Sequence, residues 1–549
     1  MFKSFSFLFL LFLGINVFAQ DNSAEIDKIF SWVTPGSPGC VCAVSQHGKV
    51  IVNRAYGLAD LEREVPLTTN SVFDAGSLTK QFVAAAILLL VEDGKLALSD
   101  DVRKYIPELH DYGHKITIDH LLTHTSGLRD WTGIMPISKG DSDAMTIALR
   151  QHSLNFVPGV EWSYSNSGYV LAKEIIARVT GAPFSEFSKK HIFDKLGMQS
   201  TVYLDDMRDV IKNRALAYQR DGDKWKMAML LDNDRGGGGA LFSTASDLLI
   251  WNESLNSGKL GAYVTEKIQE PAQLSNGRKL DYARGLFLDN NSGSQAIWHT
   301  GSADGYKSMV GRIPKDNFSM AIMCNSGDGT DRKLSGQRIL DLFVPPVSTL
   351  NEQSKSPQAF ADGVDTTGID FKSRVGLYFN ESNGESMQLV IHEGKLRVAN
   401  GPSLVAMSND HFRRWGSVLS FMSQDEFEIY FTSIDKFELK SMEGMVTHYR
   451  RAKSYSPVAS DLEAFAGRYE SDEIDAVFKL SAIENGLSLQ IEHSPENKLD
   501  FKPVDSDTFQ WRRMTIRFHR EKDGKPVSFD YTNPVLRNVK FTRINSSEG

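Results

Sequence analysis

The rhythm of hydrophobic and polar positions changes twice along the 549-residue chain. An apolar run from Phe5 to Leu13 follows Lys3 and gives way to small and apolar residues ending Val17-Phe18-Ala19. That order predicts a signal peptide over residues 1–19, cut after Ala19, and a secreted or periplasmic protein. An uncleaved anchor is the alternative, but the run is short for a bilayer span. No later segment is apolar enough to span, so no stable membrane insertion is expected after cleavage. From 20 to 345 helical and strand patterns mix, with frequent turn signals. Within this block the helix formers Gln81–Glu92 end at Asp93-Gly94, where Gly94 suits a C-terminal cap, and Val170–Val179 reads as an apolar helix.

Residues 346–368 turn to Pro, Ser, Gln, Asp, Thr and Gly and predict a linker. Beyond it short β-type runs dominate, in a pattern that occurs twice. Gly376-Leu377-Tyr378, the run Met387–Ile391, the turn Glu393-Gly394 and Asp410-His411-Phe412 mark the first copy. Gly467-Arg468-Tyr469, the run Val477–Leu480, the turn Asn485-Gly486 and Asp507-Thr508-Phe509 mark the second. Two small all-β barrels of about eight strands, over 369–455 and 456–549, are predicted, because closure removes exposed edges. A single β-sandwich is the alternative.

Charge narrows the partners. With 61 basic against 69 acidic side chains, nothing draws the chain to phosphate backbones, so no nucleic-acid partner is expected. Three cysteines, Cys40, Cys42 and Cys324, make no disulfide framework. Cys40 and Cys42 share one face of a strand-like run at about 6.5 Å, near the limit for a bridge, and read as buried thiols.

Three constellations carry chemistry. In Phe73-Asp74-Ala75-Gly76-Ser77-Leu78-Thr79-Lys80, a helix starting near Ser77 puts a hydroxyl and an amine three residues apart on one face. An amine whose charge is disfavoured can take a serine proton. Taken alone, the spacing also fits an N-cap serine and a surface lysine. The second is Trp162-Ser163-Tyr164-Ser165-Asn166-Ser167-Gly168-Tyr169, where Tyr164 could act as a base only beside a cation such as Lys80, and where a tyrosine bonded to backbone is the plainer reading. The third, Trp298-His299-Thr300-Gly301-Ser302, sits among strand-like runs and could offer backbone to a substrate and an N–H to its oxyanion.

Together S-x-x-K, Y-S-N and H-T-G resemble the signature elements of the serine β-lactamase and penicillin-binding-protein superfamily, in its class C β-lactamase and D-peptidase branch. His120–Leu128 and Gly236–Leu248 look like the same family, and the resemblance covers roughly 24–345. It implies an α+β catalytic domain, a helical region packed on a mostly antiparallel sheet with the site between them. It also implies Ser77 as acylated nucleophile, Lys80 and Tyr164 as proton shuttles, Asn166 on the substrate amide, and backbone N–H groups of Ser77 and Ser302 as oxyanion hole. His299, Thr300 and Gly301 would line the substrate strand, and no metal or organic cofactor is implied.

One departure matters: His299 stands where many β-lactamases of this branch carry lysine. A histidine is mostly neutral near pH 7, so efficient penicillin hydrolysis is not expected. The resemblance then points to amides of small D-amino-acid-containing peptides, including cell-wall-derived ones, or to related esters. A β-lactamase or carboxylesterase, or a penicillin-binding sensor with little turnover, are the alternatives. The tail is similar in layout to that of D-aminopeptidases, and a barrel loop reaching the site would restrict substrate size. The pairs His110/His114 and His120/His124 lack the metalloprotease glutamate, so His124 reads as a structural hydrogen-bonding residue. Gly236–Gly239 reads as a tight turn near the site. Trp298 and Tyr306 suit either pocket or core.

Overall fold

The structure, a computed structural model, describes residues 22–140, 142–228, 240–289, 295–328, 332–344, 368–380, 382, 384–399, 403–414, 427–441, 446–453 and 455–544. The expected signal peptide, the linker and the Gly236–Gly239 turn lie outside these residues or almost wholly so.

Six antiparallel strands form the central sheet: β1 (Cys40–Gln46), β2 (Lys49–Tyr56), β3 (Phe287–Asp289), β4 (Ala296–Ala303), β5 (Tyr306–Ile313) and β6 (Phe318–Cys324). Their order is β3-β4-β5-β6-β1-β2, so the first and last of these strands in chain order pair inside the sheet. Strands β1 and β6 are buried almost throughout, because both faces are covered. The two-residue period sorts their side chains. Val41, Ala43, Ala321 and Met323 join the core under the helical region, whereas Cys42, Val44, Met320 and Ile322 face α1 (Ser23–Ile29) and α5 (Arg332–Phe343) on the other side.

The helical region is built on α2 (Thr79–Glu92), α3 (Asn166–Thr180) and α4 (Ala245–Ser257). Helix α2 begins two residues earlier than its sequence pattern suggests, after a single 3₁₀ turn at Gly76–Leu78. It is apolar nearly all round and is enclosed accordingly. Its end is sealed at Gly94, in the left-handed region at φ 69°, and α3 likewise ends at Gly181 at φ 73°. Helix α3 starts at Asn166, four residues before the predicted apolar run.

The cysteines require a correction. Cys40 and Cys324 form a disulfide, because the β1–β6 register puts them directly opposite one another. Only Cys42 remains a thiol, and burial pushes it up to about 12. The partner lies 284 residues away in the chain and is brought close by sheet pairing alone.

The C-terminal strands build two eight-stranded meanders. The second, Gly467–Arg543, is a closed barrel whose first strand pairs with its last at Tyr469 and Arg543. The first, Gly376–Arg451, pairs its ends in the same way at Tyr378 and Arg451. It falls short of full closure, joined between Arg397 and Ser403 by an isolated bridge. The internal repeat is physical: Tyr378 donates to the carbonyl of Arg374 at 3.1 Å and Tyr469 to that of Phe465 at 3.0 Å. Likewise Asp410 accepts from the N–H of Phe431, and Asp507 from that of Phe518, each at 2.7 Å through its backbone carbonyl. Among the described residues no helix is long and apolar enough to cross a membrane.

Candidate active site

The turn that carries Ser77 is fixed from three sides. Phe73 and Asp74 pair with Ser243 and Phe242, and the N–H of Ala75 donates to Leu241. Asp74 then accepts from the N–H of Gly76 at 2.7 Å. Gly76 itself has φ 55°, and a Cβ there would fall 2.6 Å from the amide nitrogen of Ser302. A Cβ on Gly301 would fall 1.9 Å from the carbonyl oxygen of Ala75. These two glycines let β4 lie against the turn, which brings the backbone of Ser77 and Ser302 to one place.

Lys80, 6% exposed, reaches back from the first turn of α2. Its Nζ donates to Ser77 Oγ at 3.1 Å and to Asn166 Oδ1 at 2.7 Å. Asn166 in turn donates from Nδ2 to Asp130 Oδ2 at 2.9 Å. Burial, opposed by the Asp130 charge, lowers Lys80 to about 8. Tyr164 closes the other side, half-buried beside Ser77, with the Lys80 ammonium 4.8 Å from its ring centroid. Burial raises its phenol above the ordinary value, and the neighbouring Ser77 hydroxyl offsets this only in part. The resting phenol is therefore protonated, and the amine is the group that loses a proton near neutral pH. The cation beside Tyr164 does not suffice to make it a phenolate.

His124 anchors the Tyr164 loop. Its Nδ1 accepts from the N–H of Ser165 at 3.2 Å, so in the neutral ring Nε2 carries the hydrogen toward Tyr282 Oη, 3.1 Å away. This is the structural role its sequence suggests. The ring of His299 is 2% exposed and stacks on Phe287 with centroids 4.8 Å apart. Its Nδ1 donates to the carbonyl of Thr300 at 2.6 Å, leaving Nε2 facing Tyr282 at 3.4 Å. Burial first, then the Lys80 charge, push His299 down to about 3. Thr300 is half-buried and Ser302 exposed, with the Ser302 hydroxyl accepting from Arg332 at 3.0 Å. Trp298 and Tyr306 both belong to the core. Tyr169 is tied to the carbonyl of Leu122 at 2.6 Å.

A cleft of about 490 Å³ opens over Ser77 and Lys80, and its described lining residues all fall between Asp74 and Lys307. No barrel loop is among them, so restriction of the site by such a loop finds no support in the described residues. Motif reasoning missed three groups. Asp130 is the carboxylate behind Asn166, raised by burial. Lys173, one face along α3 from Asn166, lines the cleft, donates to Tyr203 at 2.7 Å and is lowered by burial to about 7. Trp131 forms part of the wall. The i, i+7 spacing from Asn166 could have flagged Lys173. Nothing local marks the other two. Among the described residues no group of His, Cys, Asp and Glu could hold a metal ion.

A D-aminopeptidase of Gluconobacter oxydans is 26% identical over 299 residues, 53% of this chain and 56% of its own length. Penicillin-binding protein 4* of Bacillus subtilis is 30% identical over 312 residues, 52% of this chain and 68% of that protein. The chain thus spans between about half and two thirds of these relatives. A D-amino acid amidase of Ochrobactrum anthropi, solved with L-phenylalanine amide, aligns over 59% of this chain and 98% of its own at TM-score 0.50 and 26% identity. A penicillin-binding protein homologue of Pyrococcus abyssi shares the fold over 78% of this chain and 99% of its own, at TM-score 0.53 and 21% identity. The Beta-lactamase family model matches residues 26–342, and the chain, carrying the Ser77 turn, the Tyr164 loop and the Thr300-Gly301 strand inside that span, belongs to this family of serine hydrolases.

Proposed function

We propose that the protein is an active-site serine hydrolase that cleaves amides of small D-amino-acid-containing peptides, or related esters, through an acyl-enzyme on Ser77. The observation that carries this reading is Lys80 Nζ, 3.1 Å from Ser77 Oγ in a site that lowers the amine to about 8. As Oγ attacks the substrate carbonyl carbon, Lys80 takes its proton. The oxyanion then accepts from the N–H groups of Ser77 and Ser302, a role supported by the close approach of Gly76 to Ser302. Collapse breaks the C–N or C–O bond, and the leaving group takes its proton through the Tyr164 hydroxyl. Water attacks the ester by the reverse route, giving the acid and the free Ser77 hydroxyl. Asn166 holds Lys80 and presents its amide to the substrate.

The neutral, enclosed His299 supports amide and ester substrates over penicillins, because it offers no fixed cation for a substrate carboxylate. The D-configuration is favoured by the names of the aminopeptidase and amidase relatives. Passage of the chain through a secretory route, with residues 1–19 removed, belongs to the same proposal. A panel of D- and L-amino-acid p-nitroanilides, p-nitrophenyl esters and a fluorescent penicillin tests the reading. Release of D-residue anilide with loss in Ser77→Ala is expected. Turnover retained in Ser77→Ala would overturn it, and stable penicillin labelling without turnover would favour a sensor instead.

A further inference from the structure

The second barrel packs against the back of the cleft wall. Ile134 and Ile147 of the catalytic part share a core with Phe478, Leu536 and their neighbours in the barrel. At the centre of this contact lies an ion pair, Arg129 at 1% and Glu473 at 8% side-chain exposure, with Nη1 to Oε1 at 2.7 Å. Each end makes further bonds. Glu473 Oε1 also accepts from the N–H groups of His152 at 2.6 Å and Ser153 at 3.0 Å. Arg129 Nη2 donates to the carbonyls of Arg537 at 3.1 Å and Asn538 at 3.3 Å. So the barrel grips the Arg129 side chain, while the Arg129 backbone grips the site. Its carbonyl accepts from Ser167 Oγ at 2.7 Å, and Ser167 Oγ accepts from the N–H of Trp131 at 3.0 Å. Between these two lies Asp130, bonded to Asn166.

We propose that Glu473 of the second barrel is a positioning residue for the catalytic site, acting through Arg129, Asp130 and Asn166 on the Lys80–Ser77 pair. The path is continuous, with every link between 2.7 and 3.1 Å from Glu473 to Arg129, from Asp130 to Asn166, and on to Lys80 and Ser77. A buried pair of this kind is weak evidence for stability but is costly to break on one side. What it does here is hold three consecutive backbone positions, 129 to 131, against the first turn of α3. The reading rests on the hydrolase assignment and gives the barrel a part in acylation without its touching substrate.

The test compares full-length protein with Glu473→Gln, Glu473→Ala and, as a control, Asn155→Ala. Asn155 donates to the carbonyl of Val535 at 2.9 Å and so contributes to docking without joining the path. Labelling of Ser77 by a fluorescent penicillin and by a fluorophosphonate is followed against pH, with melting temperature measured in parallel. The groups facing Lys80 that could shape the profile are Asp130, His124, His299, Lys173, Tyr164 and Tyr169. Glu473→Ala should slow labelling at least tenfold and move its acid limb to lower pH, because Lys80 loses an acceptor and a nearby carboxylate, both of which favour the ammonium. Glu473→Gln, which keeps an acceptor, should slow it severalfold with a smaller move. Asn155→Ala should lower the melting temperature and leave both rate and limb in place. An unchanged rate and limb in Glu473→Gln would overturn the proposal even if Glu473→Ala does not fold. Equal slowing in Asn155→Ala would reduce it to general docking and overturn it too. Absence of labelling in the unsubstituted protein would instead strike the hydrolase assignment, and this proposal with it.

Discussion

His124 lies with its ring 4.2 Å, centroid to centroid, from that of Tyr164, in a left-handed backbone conformation at φ 59°. The imidazole is buried, held well below its ordinary range by desolvation first and by the Lys80 charge next, and so it is a neutral strut. His124→Ala removes the acceptor of the Ser165 N–H and the partner of Tyr282. Kinetics on the favoured substrate should show kcat down by about tenfold to a hundredfold, and calorimetry a stability loss of about 1–3 kcal/mol. Unchanged kcat would separate the ring from the Tyr164 loop.

The pH dependence follows from Lys80. Its ordinary value is 10.5 and the site lowers it to about 8, so the amine fraction grows as pH rises through 8. Under the proposed function kcat/KM should climb with pH and level off above about 8. His299, at about 3, adds no limb between pH 5 and 8. A histidine NMR titration in which the His299 signals move within that window would contradict this.

Asp74 carries the opposite sign. Burial raises its carboxyl from 3.8 to about 7, with Asp304 adding and Arg214 opposing. Between those values the unfolded chain has lost the proton and the folded chain still holds it, so this group's contribution falls as pH rises from 4 to 7. Asp74→Asn keeps an acceptor for the Gly76 N–H without the charge. It should raise the melting temperature at pH 8 and change it little at pH 4. An equal shift at both would show that the group does not titrate in the fold.

How much was legible from sequence depends on the range of each constraint. Ser77 and Lys80 are one helical turn apart, Tyr164 and Asn166 share a loop, and Thr300-Gly301 marks a strand edge. Each spacing alone is weak, and it was the resemblance of the three motifs, in their order, to a known family that singled these residues out; the structure brings Ser77, Lys80 and Asn166 into one bonded chain with Tyr164 beside it. The barrel repeat was legible because Tyr378 and Tyr469 each close the same five-residue turn. Cys324 was not, since its partner is chosen by sheet register rather than spacing. Nor were Asp130 and the Arg129–Glu473 pair, which are 344 residues apart and carry no pattern at either end. The expectation for His299 rested on its reference pKa, whereas its packing on Phe287 makes it neutral across a far wider range.

The disulfide closes most of the catalytic part into one covalent loop, from Cys40 to Cys324. Cys40→Ser with Cys324→Ser should lose on the order of 2–5 kcal/mol in chemical denaturation, chiefly through the freer unfolded chain. Activity at low temperature should persist, because neither cysteine lines the cleft. A melting temperature insensitive to the substitutions would refute this.

The most direct test of the account is the mass of the covalent intermediate. Rapid quenching of the protein with a D-amino-acid ester or a penicillin, followed by intact-mass measurement and peptide mapping, should place one acyl group on Ser77, and none in Ser77→Ala. An adduct on another residue, or steady turnover in Ser77→Ala, would contradict the assignment of Ser77 as the nucleophile.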